Sequence, residues 1–195
     1  MLPFKLVYSD DYDLNLGNHV FPAVKYKLIR EKCLAEGLAT GEDFLEPAPA
    51  PDEDILRVHT QEWVRKLKTG KLSPYEIMRL EVPYSPQLVR SFWLSAGGST
   101  LAARRALAEG CAFNLGGGFH HAFPDHGEGF CAIHDVAVAL RRLQAEGTVR
   151  TALVVDLDVH HGNGTAAIFA GDPSVFTLSV HQENNYPYPK PPSDI

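Results

Sequence analysis

The chain has 195 residues, of which 45% are hydrophobic and 22% charged, and its formal net charge at pH 7 is −6. This composition predicts one soluble globular domain over residues 1–195, and the acidic balance argues against a nucleic-acid partner, which would need clustered Lys and Arg. No apolar run approaches the roughly 18 residues of a membrane helix, and the amino terminus lacks a signal-peptide apolar region. We therefore expect a cytoplasmic protein without a membrane partner.

The amino-terminal third predicts one strand and one helix. Leu6 to Tyr8 form a short strand-like run, and a helical pattern follows Asn18 or His19 and closes at Gly37. His19 and Lys25 could approach an active-site floor, although a satisfied structural role is the simpler interpretation for each. Cys33, Cys111 and Cys131 are widely spaced and odd in number, which predicts reduced thiols.

Two helices are predicted in the middle of the chain. Ser73 and Glu76 form a capping-box pattern, so a helix begins there. A second helix begins at Ser85-Pro86 and continues to Gly110. Gly97-Gly98 in its interior costs about 1 kcal/mol per glycine relative to alanine, so we expect close packing against a sheet at that point.

A buried strand over Cys111 to Leu115 ends in three glycines and the tandem histidines His120 and His121. The third glycine of a dinucleotide fingerprint is missing, because His121 stands in its place. The glycines instead let the backbone pass close to a neighbouring strand while two imidazoles reach its carboxyl end. Paired histidines at such a position suit proton transfer near neutral pH.

A polar loop over Ala122 to Gly129, which contains Glu128, is predicted to lie on the rim of the candidate site. A helix follows from Asp135 to Leu143. The apolar run Ala152 to Val155 favours a strand that is buried on both faces and extends to Asp158.

Asp156, Asp158 and His160 stand two residues apart, so along an extended strand they would point to the same side. Two carboxylates and an imidazole at a carboxyl strand end favour a divalent cation, with zinc preferred and iron or manganese possible. The alternative is a solvated turn made by Gly162 and Gly164.

A short helix is predicted over Ala166 to Ala170, and a third apolar strand runs from Val175 to Val180 and contains Ser179. Short apolar strands that alternate with helical patterns predict a three-layer α/β fold with a largely parallel central sheet.

Three motifs, in the same order, resemble those of the histone deacetylase superfamily and its arginase-like fold. They are Gly-Gly-Gly-Phe-His-His at 116–121, Gly-Phe-Cys at 129–131, and Asp-Leu-Asp-Val-His-His-Gly-Asn-Gly-Thr at 156–165. The first form is most similar to the class IV branch and its bacterial relatives.

The resemblance implies a role for each matching residue. Asp158 and His160 would be zinc ligands, and Asp156 and Ser179 would hold a structural potassium ion. His121 would be the general base that takes a proton from zinc-bound water, with His120 as its electrostatic or proton-transfer partner. Asp156 would orient His120 and Asn163 would orient His121, while Gly129 and Phe130 would line the acyl-lysine channel.

Two departures from the family pattern affect these expectations. Asn163 replaces the Asp of the class I branch and brings no negative charge, so it should raise the pKa of His121 less than a carboxylate would. The family's third zinc ligand and its transition-state Tyr have no matching motif before Ile195. Four residues near this end do not sit in matching motifs and are not assigned these roles: Asp172, Asp194, Tyr186 and Tyr188.

Three functions remain open. The first is a zinc-dependent amide hydrolase acting on acyl-lysine in proteins, and the second is the same chemistry on an acylated polyamine or another small acylated amine. The third is a catalytically silent fragment or binding module. With two recognised ligands, we expect residues 1–195 alone to bind zinc weakly and to show little deacylase activity. The oligomeric state cannot be read from the sequence.

Overall fold

A computed structural model describes residues 2–195 as seven α-helices, two short 3₁₀ helices (Asp10–Tyr12 and Gly41–Asp43) and five strands. The strands are β1 (Lys5–Val7), β2 (Phe44–Leu45), β3 (Ala112–Asn114), β4 (Ala152–Asp156) and β5 (Val175–Ser179). The helices are α1 (Lys25–Ala35), α2 (Asp52–Ile55), α3 (Gln61–Thr69), α4 (Pro74–Leu80), α5 (Pro86–Glu109), α6 (Asp135–Ala145) and α7 (Asn163–Phe169). Within residues 2–195, no helix is both long and apolar enough to span a membrane.

Every strand pair is parallel, as predicted, but the hydrogen-bonded strands form two groups. One has the order β2-β1-β3 and the other pairs β4 with β5. In the described part of the chain, β3 and β4 do not pair, so the single continuous sheet of the prediction is divided. The chain end lies beside the outer edge of β5, where the Ser179 N–H donates to the Ile195 carbonyl at 3.0 Å.

The prediction that β4 is buried on both faces is wrong. Leu153 is 60% exposed and Val155 is 51% exposed, whereas Val154 packs with Phe169 and Val175. The apolar side chains of β4 favour burial of both faces, but burial of a face requires another element of the chain to pack against it. Residues 2–195 cover only one face of this strand.

Helix α5 is the central packing element, and it contacts α6, β1 and β3. It runs unbroken through Gly97 and Gly98. A Cβ at Gly97 would collide with the Ala48 carbonyl, and one at Gly98 would collide with the Tyr12 hydroxyl. Close packing at the glycine pair is therefore confirmed, but the nearest partners are Ala48 and Tyr12, which lie outside the strands, rather than the predicted sheet.

The predicted helix starts are confirmed where a capping side chain marks them. Ser73 accepts from the Glu76 N–H at the start of α4, and Ser85 accepts from the Leu88 N–H at the start of α5. Two boundaries differ from the prediction. Helix α1 begins only at Lys25, without a side-chain cap, and α7 begins at Asn163 rather than Ala166.

Candidate functional site

The tandem histidines follow β3 on a turn that is held by the first residue of α6. The Asp135 carboxylate accepts the Gly118 N–H at 3.1 Å and the Phe119 N–H at 2.9 Å, and it also accepts the Ser99 hydroxyl. Gly117 has φ +103°, and a Cβ there would meet the same carboxylate. Burial raises the pKa of Asp135, although these three donors oppose the shift. The glycines thus allow a buried acid to fix the histidine-bearing turn.

His120 pairs with the last residue of β4. Its Nδ1 donates to Asp156 Oδ2 at 2.6 Å, while Asp156 Oδ1 accepts the Asp158 N–H at 3.0 Å. Burial acts to raise the pKa of Asp156, but the hydrogen bond and charge of His120 outweigh it and leave the pKa below its ordinary value. The pairing of His120 with Asp156 is the one that the sequence predicted.

His121 is buried, and it pairs with the first residue of α7. Its Nδ1 lies 2.7 Å from Asn163 Oδ1, as predicted. Burial lowers the pKa of His121 to about 4, the positive charge of His120 adds to this effect, and the Asn163 contact opposes it. His121 is therefore neutral near pH 7 and can accept a proton.

Asp158 and His160 come together, but not through strand alternation. The strand ends at Asp156, and both side chains project from the turn that follows. Asp158 Oδ1 accepts the His160 backbone N–H at 2.8 Å and lies 3.1 Å from His160 Nδ1. Strand pairing is lost beyond Asp156, so the inference from a two-residue period was wrong for these residues although their proximity was right.

These two side chains fit part of a zinc site. Zinc bonds of about 2.0–2.1 Å in tetrahedral geometry place neighbouring ligand atoms about 3.3 Å apart, close to the Asp158–His160 separation. Within residues 2–195, however, no three His, Cys, Asp or Glu side chains are placed to hold a metal. The described residues therefore offer two donor atoms at a spacing that fits zinc, and they do not form a complete metal site.

Asp156 and Ser179 are direct partners in the parallel register of β4 and β5. The Ser179 hydroxyl lies 2.9 Å from His181 Nδ1. The two predicted potassium ligands therefore lie at paired positions of neighbouring strands.

The site opens into a pocket of about 560 Å³. Its lining includes His120, His121, Asp158, His160, Gly129 and Phe130. Phe130 has φ +69°, which is uncommon for a residue with a side chain, and its ring contacts Phe21 with ring centres 5.8 Å apart. The structure thus brings the two predicted catalytic histidines, the two zinc-type ligands and the channel residues to one cavity. Asp156 and Asn163 contact the histidines from behind and, like Ser179, do not line the cavity.

Lys25 also lines this pocket. Burial lowers its pKa, although the negative charge of Asp158 opposes that shift. His19, by contrast, lies 2.9 Å from the Glu81 carbonyl through its Nε2. Of the two residues considered for the site floor, Lys25 reaches the pocket and His19 has the satisfied structural role.

Tyr186 stands in no matching motif and was assigned no role from the sequence, yet it lies at the site. Its ring centre lies 5.0 Å from that of His121 and 5.9 Å from that of His160, and it lines the pocket. Burial and the nearby Glu128 raise its pKa. The segment around Tyr186 has no periodicity, so only its aromatic character could have drawn attention. Asp172, Asp194 and Tyr188 do not line the pocket.

Glu128 was expected on the rim and is buried instead, with 8% of its surface exposed. Its carboxylate accepts from Arg79 Nε at 2.8 Å, from the Tyr186 hydroxyl at 3.2 Å and from Asn163 Nδ2. The polar composition of the loop suggested solvent, but these three donors make burial of the carboxylate acceptable.

The histone deacetylase domain model matches residues 19–195. A protein of Picosynechococcus sp. that has no characterised function is 41% identical over 98% of this chain and 64% of its own length. A probable deacetylase of Methanothermobacter thermautotrophicus is 34% identical over 94% of this chain and 56% of its own length.

The solved structure of a histone deacetylase homologue from Aquifex aeolicus is 28% identical, with a TM-score of 0.79 over 95% of this chain and 52% of that chain. The match confirms the predicted α/β fold of the arginase and deacetylase type. The chain spans between half and two thirds of the length of these relatives. With the domain match and the fold in agreement, the chain belongs to the histone deacetylase domain family.

Proposed function

We propose that the protein containing this chain is an amide hydrolase that removes acetyl or longer acyl groups from lysine side chains. One observation carries this proposal. Two histidines, each paired with its own polar partner, lie in the same pocket as the Asp158 and His160 pair. A neutral base, an oriented second imidazole and a pair of metal-type ligands form the set that hydrolysis of an unactivated amide needs.

In this proposal His121 takes a proton from the attacking water at Nε2, because its Nδ1 is engaged by Asn163. His120 stabilises negative charge nearby, and Asp156 holds its ring in place. Phe130, with Gly129 beside it, forms one wall for the apolar stem of the acylated side chain. The buried position of His121 keeps its pKa below neutrality, which maintains the base in its reactive form.

Zinc is the metal that the donor pair favours, and we propose Asp158 and His160 as two of its ligands. A further ligand would have to come from outside residues 2–195. Potassium is proposed beside Asp156 and Ser179, where two oxygen-bearing side chains are adjacent. Both ions are open to direct measurement in the full-length protein.

A small acylated polyamine is the second candidate substrate. Glu81 is exposed and lines the same pocket, so its carboxylate could hold the free ammonium of such a substrate. Comparing an acetyl-lysine peptide with an acetylated diamine would separate the two substrate classes, since Glu81→Gln should weaken only the second.

The main test combines metal content with turnover in the full-length protein. We expect Asp158→Ala and His160→Ala to lose bound metal and activity together, because each removes a ligand. His121→Ala should keep the metal and lose about 10²–10⁴ in kcat, the usual contribution of a positioned base. Equal metal loss in all three variants would contradict the role of His121. Full metal binding without hydrolysis of either amide would favour a silent binding module.

A further inference from the structure

Asn163 has a fixed orientation, which determines the proton position on His121. The Gly164 backbone N–H can only donate, and it donates to Asn163 Oδ1 at 3.0 Å. The Asn163 Nδ2 group faces the Glu128 carboxylate, which accepts. Since Oδ1 is thereby the atom that faces His121, the imidazole must carry its hydrogen on Nδ1 and leave Nε2 free as the base.

Glu128 in turn is held from the other side. Arg79 reaches its Oε2 through Nε at 2.8 Å and Nη2 at 2.6 Å, and the Tyr186 hydroxyl donates to Oε1 at 3.2 Å. Only 11% of the carboxylate-bearing side chain is exposed. A buried, ion-paired carboxylate accepts hydrogen bonds and does not donate them, so it imposes one orientation on the amide beside it.

We infer that Glu128 is a positioning residue for the base of the proposed reaction, acting through Asn163 to supply the negative charge and the orientation that Asn163 alone lacks. The inference rests on the proposed function. The resulting series is His121, Asn163, Glu128 and Arg79, with each contact directed by the next. Asn163 carries no charge, but it donates a hydrogen bond to the negatively charged Glu128 on the side opposite to His121.

The same residue shapes the pocket wall. The Glu128 and Cys131 backbones exchange hydrogen bonds at 3.2 Å and 2.9 Å, and the tight turn between them carries Gly129 and Phe130. Glu128 therefore joins the histidine partner to the turn that presents Phe130. Changes that keep its size while removing its charge are needed to separate the two roles.

Exchanging the carboxylate and the amide between Glu128 and Asn163 separates the effect on His121 from the effect on the pocket wall. In the full-length protein, Glu128→Gln keeps the shape but lets both amides rotate, so we expect kcat to fall about 10–100-fold, as when the outer partner of a functional histidine is lost. Asn163→Asp places two carboxylates in contact, and kcat should fall by a similar factor. The double variant restores one carboxylate and one amide donor, now with the charge beside His121, so kcat should recover to within about fivefold of the parent.

Glu62→Gln is the matched control, because this exposed glutamate pairs with Arg65 and does not line the pocket. It should leave kcat and KM unchanged. KM should stay within about twofold in Glu128→Gln, since a residue that positions the base acts on the chemical step. If the double variant is no more active than the weaker single variant, or Glu128→Gln has the parent kcat, the inference is wrong.

Nitrogen-15 NMR of the His121 ring gives a second measurement that does not depend on turnover. The parent and the double variant should show the Nδ1–H tautomer, and Glu128→Gln should show a mixture of both tautomers. A protein that hydrolyses no amide but shows this pattern would refute the proposed function and retain the positioning role. An unmixed Nδ1–H tautomer in Glu128→Gln would refute the positioning role even if the protein hydrolyses acetyl-lysine.

Discussion

Gly129 stands where the backbone passes between two rings of the site. Its φ is +53°, and a Cβ built there would lie 2.8 Å from His121 Cδ2 and 2.8 Å from the Tyr186 hydroxyl. Cβ contacts under 3.0 Å are essentially never observed, so even a methyl group requires both rings, or the backbone of this turn, to shift. The pocket wall and the position of the His121 ring therefore both depend on the absence of a side chain at Gly129.

We predict that Gly129→Ala lowers the free energy of unfolding by more than the cost of placing alanine in a left-handed backbone conformation. Gly37→Ala is the matched control, because Gly37 has φ +67° with open space around the position of a Cβ. The control should cost about 1–2 kcal/mol for the left-handed conformation. Gly129→Ala should cost at least about 1 kcal/mol more because of overpacking. Urea unfolding of both variants measures the difference, and equal losses would show that the rings move aside without cost.

The residues in contiguous motifs could be predicted from sequence, and those that act singly could not. His120, His121, Asp158 and Phe130 stand in short patterns that predicted a shared position, and all four line one pocket. Glu128 meets Tyr186 across 58 positions and Asn163 across 35, and nothing local marks either contact. A buried polar residue is recognisable only when its partners are known, because its hydrogen bonds decide whether burial is tolerable.

At the scale of elements, the start of α6 fixes the tandem-histidine turn. Asp135 accepts two backbone N–H groups and the Ser99 hydroxyl. We predict that Asp135→Asn lowers the free energy of unfolding by about 1–3 kcal/mol, because an amide cannot accept at both oxygen positions and leaves a buried donor unpaired. Asp125→Asn is the control, since the Asp125 side chain is 70% exposed. Urea titration measures both, and equal stability of the two variants would contradict the anchoring role.

The helix boundaries were predictable where a local sequence signal marks the first or the last residue. Capping serines gave the starts of α4 and α5, and glycine gave the end of α5 at Gly110. The strand extent was not predictable, because Asp158 and His160 follow β4 with the same alternation that a longer strand would show. Strands are stabilised by neighbours far away in the sequence, and β4 loses its pairing with β5 after Asp156.

At the scale of the whole molecule, two buried histidines join separate segments of the chain. His59 Nδ1 donates to the Phe123 carbonyl at 3.0 Å, and its Nε2 accepts the His134 N–H at 3.0 Å. His134 Nδ1 accepts the Ala137 N–H at 3.2 Å at the start of α6, while its Nε2 donates to the Thr165 hydroxyl at 2.8 Å. Each ring uses one nitrogen as an acceptor, so protonation of either ring breaks a bond to the backbone.

Acid should therefore destabilise the fold through these two rings. Burial lowers the pKa of His59 to about 4 and that of His134 to about 3. The unfolded chain, with ordinary histidine pKa values near 6.5, binds more protons below that pH than the folded chain does. The stabilising effect of the neutral rings is thus complete above about pH 7, and it is lost as the pH falls from about 6.5 towards 4.

We predict that the free energy of unfolding falls by up to about 1.4 kcal/mol per pH unit for each of these histidines across this window. His134→Asn isolates the contribution of His134 to this pH dependence. The Asn side chain can still accept the Ala137 N–H as a helix cap, but it does not titrate. Urea unfolding at pH 7.5, 6.0 and 5.0 should give a shallower decline for His134→Asn than for the parent protein. Parallel declines in the two proteins would mean that His134 has the same pKa in the folded and the unfolded chain, and the acid sensitivity would then have to arise at other groups.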